Sequence, residues 1–369
     1  MKAHAEIVIA GGGVIGLTTA WFLARTGARV TVIERGDFGA EASWAGAGII
    51  PPGNLEHAAT PDDQLRARSS AAFTTLSAKL QELTGIDNGY RVCGGVEYLA
   101  GDHEDTLAAW KQEQIAFELV QPPGFHSNES AYLLPGMAQV RNPRHVRAVL
   151  AACRHAGVAL HDQATISGFD RTDNHITAAI LTNGDRIAGG RFLIAAGAWS
   201  EHLLRPFGIA CGIHPVRGQM VLLKTPEPVF QRILLADKCY LVPREDGHVL
   251  VGSTEEPEAG FVKATTPEAI DGLLDFAVSL VPALAGARMV SSWAGLRPGS
   301  ADGRPSLGRV GDIGNLYLAA GHFRAGIQLS PATAEIMSDL LLDREPAIDL
   351  ADFRPGRKPG PFVRPAFHS

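Results

Sequence analysis

The first residues in the chain whose types and spacing suggest chemistry are Gly11-Gly12-Gly13-Val14-Ile15-Gly16. They fit G-x-G-x-x-G directly after a short apolar run, Ala5 to Ala10, and at the start of a helical stretch. In that setting Gly11 permits a tight turn, Gly13 lets backbone approach a pyrophosphate, and Gly16 lets a helix pack closely on a strand. Free N–H groups at Val14 and Ile15, with the positive end of the helix dipole, suit phosphate oxygens. Glu34 ends the next β-branched run 18 residues after Gly16 and is followed by Arg35. A carboxylate there is placed to accept hydrogen bonds from a ribose diol and to repel a 2′-phosphate. Strand, turn, helix, second strand and terminal acid in register indicate a dinucleotide site. The motif by itself does not choose between FAD and NAD.

Three further stretches bear on that choice. Ala42-Ser43-Trp44-Ala45-Gly46-Ala47-Gly48-Ile49-Ile50 is too glycine-rich for a stable helix interior and too apolar for a solvated loop, so something must lie against it. A flat ring system or a tight interdomain crossing would satisfy it. Leu316 to Ala319 runs into Ala320-Gly321-His322-Phe323-Arg324-Ala325-Gly326-Ile327, a second strand-turn-helix glycine site. The N-terminus of its helix suits partial negative charge on a flavin pyrimidine ring, which a nicotinamide enzyme does not need. Ala195-Ala196-Gly197-Ala198-Trp199-Ser200 again places small residues after a strand; taken alone, packing explains it better than a cofactor does.

A substrate carboxylate calls for a planar guanidinium that can hold it bidentately. Arg297, in Trp293-Ala294-Gly295-Leu296-Arg297-Pro298, projects from a strand end fixed by the Pro-Gly turn that follows. On the residues alone, a solvent-facing arginine beside a turn is the better account. Tyr240 reads as a half-buried strand aromatic, and Arg324 as a structural partner to an acid. The four cysteines, Cys93, Cys153, Cys211 and Cys239, include no C-x-x-C pair, and the 13 histidines show no metal spacing, so no metal site is expected.

The elements needed to position these residues follow from periodicity. The first 34 residues read β-α-β: Ala5 to Ala10, Val14 to Thr26 and Arg29 to Ile33. Asp62 to Leu83, Glu104 to Phe117 and Arg144 to His155 read as helices, followed by a strand at Val158 to Leu160. Asn183-Gly184 and Glu245-Asp246-Gly247 mark two hairpins, Ile176 to Leu181 with Arg186 to Ala188 and Tyr240 to Arg244 with His248 to Gly252. Strands are expected at Arg191 to Ala195, Pro215 to Leu223, Met289 to Leu296 and Leu316 to Ala319, and a last helix from Gly326 to Leu342. The fold class is α/β, a Rossmann-like nucleotide-binding domain (1–80, 143–212 and 298–345) interleaved with an antiparallel-sheet α+β substrate domain (81–142 and 213–297). Residues 346–369 form a tail, expected to be poorly ordered from Arg354 on because it is rich in Pro, Gly and Arg.

Taken in order, Gly11 to Gly16, Glu34, Ser43 to Gly48, Ala195 to Ser200, Val216-Arg217-Gly218-Gln219, Tyr240-Leu241-Val242-Pro243-Arg244, Gly295-Leu296-Arg297-Pro298 and Gly321 to Gly326 resemble the FAD-dependent D-amino acid oxidase superfamily. The likeness runs from about residue 5 to about residue 343 and is nearest the glycine oxidase branch of thiamine biosynthesis. The resemblance implies FAD held by Gly11, Gly13, Val14, Ile15, Gly16, Glu34, Arg35, Ser43, Gly46, Ala47, Gly48, Ile166, Ala196, Gly197, Trp199, Gly321, His322, Phe323, Arg324, Ala325, Gly326 and Ile327. It implies that Arg297 and Tyr240 hold the substrate carboxylate and that Arg324 borders flavin and substrate. The implied reaction is transfer of the α-hydrogen of a small amino acid or secondary amine to the flavin as hydride. The imino acid then hydrolyses, and O2 reoxidises the flavin to yield H2O2. Positioning dominates such chemistry, so no general base is assigned. Lys238-Cys239 before Tyr240 departs from the glycine oxidase pattern, which leaves the preferred amine open. No cysteine lies near Arg297, where sarcosine oxidases carry their flavin-linking cysteine, so FAD is expected to be non-covalent.

Composition narrows the alternatives. At 369 residues, with 46% hydrophobic and 20% charged side chains, the chain is long enough for about two domains and too apolar for wholesale disorder. The net charge of −6 without a basic run disfavours nucleic acid, and with it a flavin enzyme acting on a modified tRNA base. A D-amino acid dehydrogenase passing electrons to a quinone-type acceptor stays open as an alternative. Lys2 followed by the small apolar stretch Ile7 to Ala24 has some signal-peptide character, but three glycines interrupt it. No run reaches the roughly 18 apolar residues of a membrane span. A cytoplasmic protein is expected, and a homo-oligomer is compatible with the sequence. Glycine, 41 of 369 residues, is in excess, as backbone lying close against a cofactor would require.

Overall fold

The structure is a computed structural model that describes residues 6–121, 129–362 and 367. Lys2 and Ala5, which entered the reading of the N-terminus, lie outside the described residues, as do 363–366 and 368–369 of the expected tail.

The run Glu-Ile-Val-Ile-Ala at Glu6–Ala10 is buried on both sides, as a central parallel strand must be. Ile7 and Ile9 face one core cluster, Val8 and Ala10 the other. Glu6–Ala10 pairs in parallel with Arg29–Ile33, and the helix Val14–Ala24 makes the crossover. The six-stranded sheet runs in the order Ser306–Arg309, Leu316–Ala320, Arg191–Ile194, Glu6–Ala10, Arg29–Ile33, Ala159–His161. Only Ser306–Arg309 is antiparallel to its neighbour. Residues of Val14–Ala24, Pro61–Thr84, Asn142–His155 and Gly326–Leu341 share the core on one face. The other face is covered by a three-stranded sheet, Ile166–Thr172, His175–Leu181 and Arg186–Ala188.

The second large sheet has eight strands in the order Arg288–Gly299, His214–Lys224, His248–Gly252, Cys239–Pro243, Ile233–Ala236, Gly95–Ala100, Glu129–Leu134, Glu118–Val120. All its pairings are antiparallel except Ile233–Ala236 with Gly95–Ala100. Strand alternation divides its residues between two cores. Val221, Leu241 and Val251 pack under the helix Pro267–Leu280, whereas Met220, Tyr240 and Val242 face Ala47 and Ile49. That second face borders the cavity described below. The strands of the parallel sheet come from 6–33, 159–194 and 306–320, those of the eight-stranded sheet from 95–134 and 214–299, so the two are interleaved along the chain.

Both expected hairpins form. The helix expected to reach Phe117 ends at Gln112, because the chain turns through a left-handed Gln114 with φ 56°. One turn of helix forms at Ala42–Ala45 within the stretch read as too glycine-rich for a helix interior; it stops where Gly46 begins. The helix Pro267–Leu280 was not foreseen, although Thr266 accepts from the Ala269 N–H and Pro267 occupies the first turn, the usual start signal.

Two described residues of the segment expected to be loose, Arg357 and Phe367, make defined contacts. Arg357 donates to both carboxylate oxygens of Asp302, at 2.9 and 2.8 Å, and to Ser306 Oγ at 3.1 Å. Phe367 is buried and stacks on Trp110. Proline and glycine content reports turn geometry; it does not register that an arginine finds a buried carboxylate. Burial alone would raise the Asp302 carboxyl, but the Arg357 hydrogen bonds outweigh it and hold it below the usual range. A depressed carboxyl contributes stability above its unfolded pKa and loses it as pH falls through the folded value. Arg357→Ala should therefore lower the free energy of unfolding by about 2 kcal/mol at pH 7. The difference from the parent chain should fade on acidification below pH ~4, as read by thermal unfolding across pH.

Candidate active site

An elongated cavity with about 1870 Å³ of empty space, open to solvent along part of its length, runs between the two sheets. At one end it meets the C-terminal ends of the parallel strands at Ala10, Ile33, Ala195 and Ala320, where open α/β sheets place their ligands. At the other it reaches Met220, Tyr240 and Leu296 on the eight-stranded sheet.

The glycine turn is fixed by close approach. Gly11 has φ +115°, and a Cβ there would stand 2.3 Å from the Ala195 carbonyl oxygen. A Cβ on Gly16 would stand 2.0 Å from the Gly11 oxygen, so Gly16 packs helix on turn and does not line the cavity. Gly13, Val14 and Ile15 do line it, and the Val14 N–H donates to Ser43 Oγ at 2.9 Å. Glu34 accepts from the Gly12 N–H at 2.8 Å and the Gly36 N–H at 3.0 Å, which locks its carboxylate beside the turn. Arg35 lies over the Trp199 ring at 3.6 Å and pairs with Glu41, which in turn pairs with Lys263 at 2.9 Å.

Ser43, Gly46, Ala47, Gly48, Ile166, Ala196, Gly197 and Trp199 all line the cavity. The Ala45 to Gly48 backbone is held by its neighbours: Trp293 Nε1 donates to the Ala45 carbonyl at 3.0 Å and Arg244 Nη2 to the Ala47 carbonyl at 2.9 Å. Arg244 also donates to Gln139 Oε1 and the Val140 carbonyl, and burial lowers its pKa to about 9. At the second glycine turn His322, Phe323, Arg324, Gly326 and Ile327 line the cavity. Gly321 and Ala325 do not: Gly321 makes the turn at φ +85°, and Ala325 occupies the N-cap of Gly326–Leu341. His322 bonds Thr333 Oγ1 at 3.0 Å, and burial pushes its pKa down to about 3, so it is neutral.

Arg297 is half-buried next to Tyr240; loss of water lowers its pKa, offset in part by the Tyr240 phenol and by Glu255. Its Nη2 donates to Ser253 Oγ at 2.5 Å and its Nη1 to the Thr254 carbonyl at 3.1 Å. Arg324 donates to the Lys238 carbonyl at 2.7 Å. Neither has a carboxylate within ion-pair distance among the described residues, and Glu255 acts on Arg297 from farther away. The cavity's acidic lining residues, Glu34 and Glu41, are engaged at the glycine-turn end. Tyr240 Oη bonds Met220 Sδ at 3.3 Å.

Two residues take parts that the sequence did not assign to them, Gly218, quoted only within the Val216-Arg217-Gly218-Gln219 motif, and Gln328. The Arg297 guanidinium lies across Gly218, where a Cβ would come within 2.2 Å of it. An isolated glycine in a strand pattern was the available signal. Gln328 lines the cavity, and its Nε2 is buried without a partner; a glutamine inside an amphipathic helix gave no warning.

A parallel nucleotide sheet and an arginine-bearing antiparallel sheet that share one cavity define a dinucleotide-dependent oxidoreductase of the flavoprotein type. A family profile described as FAD dependent oxidoreductase matches residues 6–340, and the chain belongs to that family. It is 38% identical to the glycine oxidase of Pseudomonas aeruginosa, over 95% of this chain and 98% of that protein. It is 35% identical to the bifunctional protein ThiO/ThiG of a Nostoc species, over 92% of this chain and 53% of that protein. The crystal structure of glycine oxidase from Geobacillus kaustophilus superposes with a TM-score of 0.89 at 31% identity, covering 96% of this chain and all of the other.

The cavity fits FAD on its own features. Two helix N-termini, Val14 and Gly326, open on it, and a Cβ at Gly197 would point into open space. The unpartnered Gln328 Nε2 is a donor awaiting an acceptor at the second helix. Gly218→Ala meets only the far end of a flexible side chain, so the fold should persist while the guanidinium is displaced. We expect FAD to be retained, the melting temperature to move by no more than a few degrees, and acetate to bind about tenfold more weakly, read by perturbation of the flavin absorbance.

Proposed function

We propose that the protein oxidises glycine or another small amino acid or secondary amine carrying a carboxylate to the imino acid, with O2 as the electron acceptor. The observation that carries this reading is the pair Arg297 and Arg324, two cations that line one cavity and make no ion pair among the described residues. Full-length similarity to proteins named glycine oxidase supports it. In this reading Arg297 and Tyr240 hold the carboxylate, Arg324 borders the ring and the substrate, and Met220 closes on Tyr240. When bound, FAD supplies the two-electron acceptor and the route of those electrons to O2. The protein's own part is to orient the Cα–H and exclude water, because neutral His322 is bonded to Thr333 and is no candidate base near neutral pH.

FAD in this reading is non-covalent: among the described residues no cysteine lines the cavity. Supply of the imine to thiamine thiazole synthesis rests on the resemblance noted from the sequence and on similarity to a protein named ThiO/ThiG. A cytoplasmic setting fits four free cysteines, and no helix among the described residues is long and apolar enough to cross a membrane.

Three measurements test this. Anaerobic mixing with glycine, sarcosine and D-amino acids should bleach the flavin, and air should restore it with oxygen consumed and no added acceptor; bleaching that only a quinone or dye reverses points instead to a dehydrogenase. Arg297→Ala should raise KM for glycine by about 100-fold. An unchanged KM removes the carboxylate role. Acid precipitation should leave the flavin in the supernatant.

A further inference from the structure

Arg297 meets its neutral acceptors, Ser253 and Thr254, on a segment that follows the strand His248–Gly252 and belongs to no strand itself. Something must hold that segment, because an arginine seated on a wandering loop cannot present a fixed fork. The holder is Glu256. Its backbone forms an isolated antiparallel bridge with Arg217, with N–H to carbonyl distances of 2.9 and 3.1 Å. Its Oε2 accepts from Arg217 Nε at 2.9 Å and from Arg217 Nη2. Its Oε1 accepts from Gln219 Nε2 at 2.8 Å and from the Thr254 hydroxyl. Thr254 Oγ1 in turn accepts from the Gln219 N–H at 2.9 Å, and Gln219 Oε1 accepts from the Thr266 N–H at 2.7 Å.

Arg217 and Gln219 flank Gly218, the residue across which the Arg297 guanidinium lies. Arg217 and Gln219 point to the face of the strand opposite Gly218, so the connections close into a ring behind the guanidinium's seat. The ring is also charge-balanced. Burial alone would raise the Glu256 carboxyl, but hydrogen bonds from Thr254, Arg217 and Gln219 outweigh it and keep it ionised. Arg217 takes up that charge as a two-donor pair. A nearby carboxylate thus orders the loop without neutralising Arg297.

We propose that Glu256 and Thr254 are positioning residues for carboxylate recognition: the ring they form with Arg217 and Gln219 fixes the two neutral acceptors of Arg297, so that its charge is left for the substrate. The inference rests on the reading of Arg297 given above. It is tested on the holoenzyme with Thr254→Val, Thr254→Ser, Glu256→Gln and Arg297→Lys, measuring KM and kcat for glycine, the Kd of acetate, and FAD content.

Thr254→Val and Glu256→Gln should raise both KM and the acetate Kd by about tenfold, with kcat and FAD content within about twofold. Thr254→Ser, which keeps the hydroxyl, should restore both constants. A KM and acetate Kd within twofold of the parent in Thr254→Val and Glu256→Gln, while Arg297→Lys weakens both, overturns the positioning role alone. Equal losses of kcat, FAD and affinity that Thr254→Ser does not rescue also overturn it, since a loop anchor would behave so. An Arg297→Lys variant with unchanged KM and acetate Kd shows that the reading of Arg297 itself has failed. If Glu256→Gln does not hold FAD, the contrast between Thr254→Val and Thr254→Ser decides.

Discussion

The arrangement turns on a half-buried guanidinium that makes no ion pair with a carboxylate among the described residues. Taking Arg297 out of water is costly, and a neighbouring acid would offset that cost but would also occupy the fork. The fold uses neutral acceptors instead, one hydroxyl and one carbonyl, which satisfy two donors and leave the net charge in place. The neighbouring architecture follows from that choice. Gly218 lacks a side chain so that the guanidinium can lie across its strand, and the strand pairing places Gly218 diagonally from Arg297, which lies opposite Val216.

The same device recurs behind the Ala45 to Gly48 loop. Arg244 is buried and donates to the Ala47 and Val140 carbonyls and to Gln139, again without a carboxylate in ion-pair contact. Here burial lowers the pKa, and the guanidinium acts as a multi-pronged hydrogen-bond donor that fixes backbone lining the cavity. Gly48 is part of that close fit, since a Cβ on it would stand 2.2 Å from the Val140 oxygen. The glycine excess in the composition is explained in part by such contacts, at residues 11, 16, 48 and 218, where backbone or guanidinium occupies the space of a side chain.

The parallel sheet and its glycine turn were legible in the sequence because their determinants are local. Gly11, Gly16 and Glu34 act within one β-α-β unit, and the periodicities of 2 and 3.6 locate its strands and helix. Arg297, Tyr240 and Arg324 could be proposed from strand ends and from resemblance, and the structure brings all three to one cavity. What could not be read was set by register between distant segments. Ser253 and Thr254 reach Arg297 only because His214–Lys224 pairs with both His248–Gly252 and Arg288–Gly299. Arg244, 197 residues along the chain from Ala47, and Arg357, 55 from Asp302, show the same limit. A charged residue's partner is a property of the tertiary fold, and composition does not carry it.

Register also explains why the cavity can serve two kinds of recognition at once. The parallel sheet offers strand ends, helix N-termini and glycine backbone, all main-chain groups suited to a large ligand held in many places. The eight-stranded sheet offers side chains from alternate residues, so that Met220 and Tyr240 face the cavity side while Val221 and Leu241 face the helix Pro267–Leu280. A one-residue slip in either strand would exchange those sets and bury the wrong face. The long pairing of His214–Lys224 with Arg288–Gly299 opposes such a slip, and it is the same pairing that carries Gly218 to Arg297. Stability of the sheet and placement of the guanidinium are therefore one constraint, which is why the arginine sits on a strand end and not on a loop.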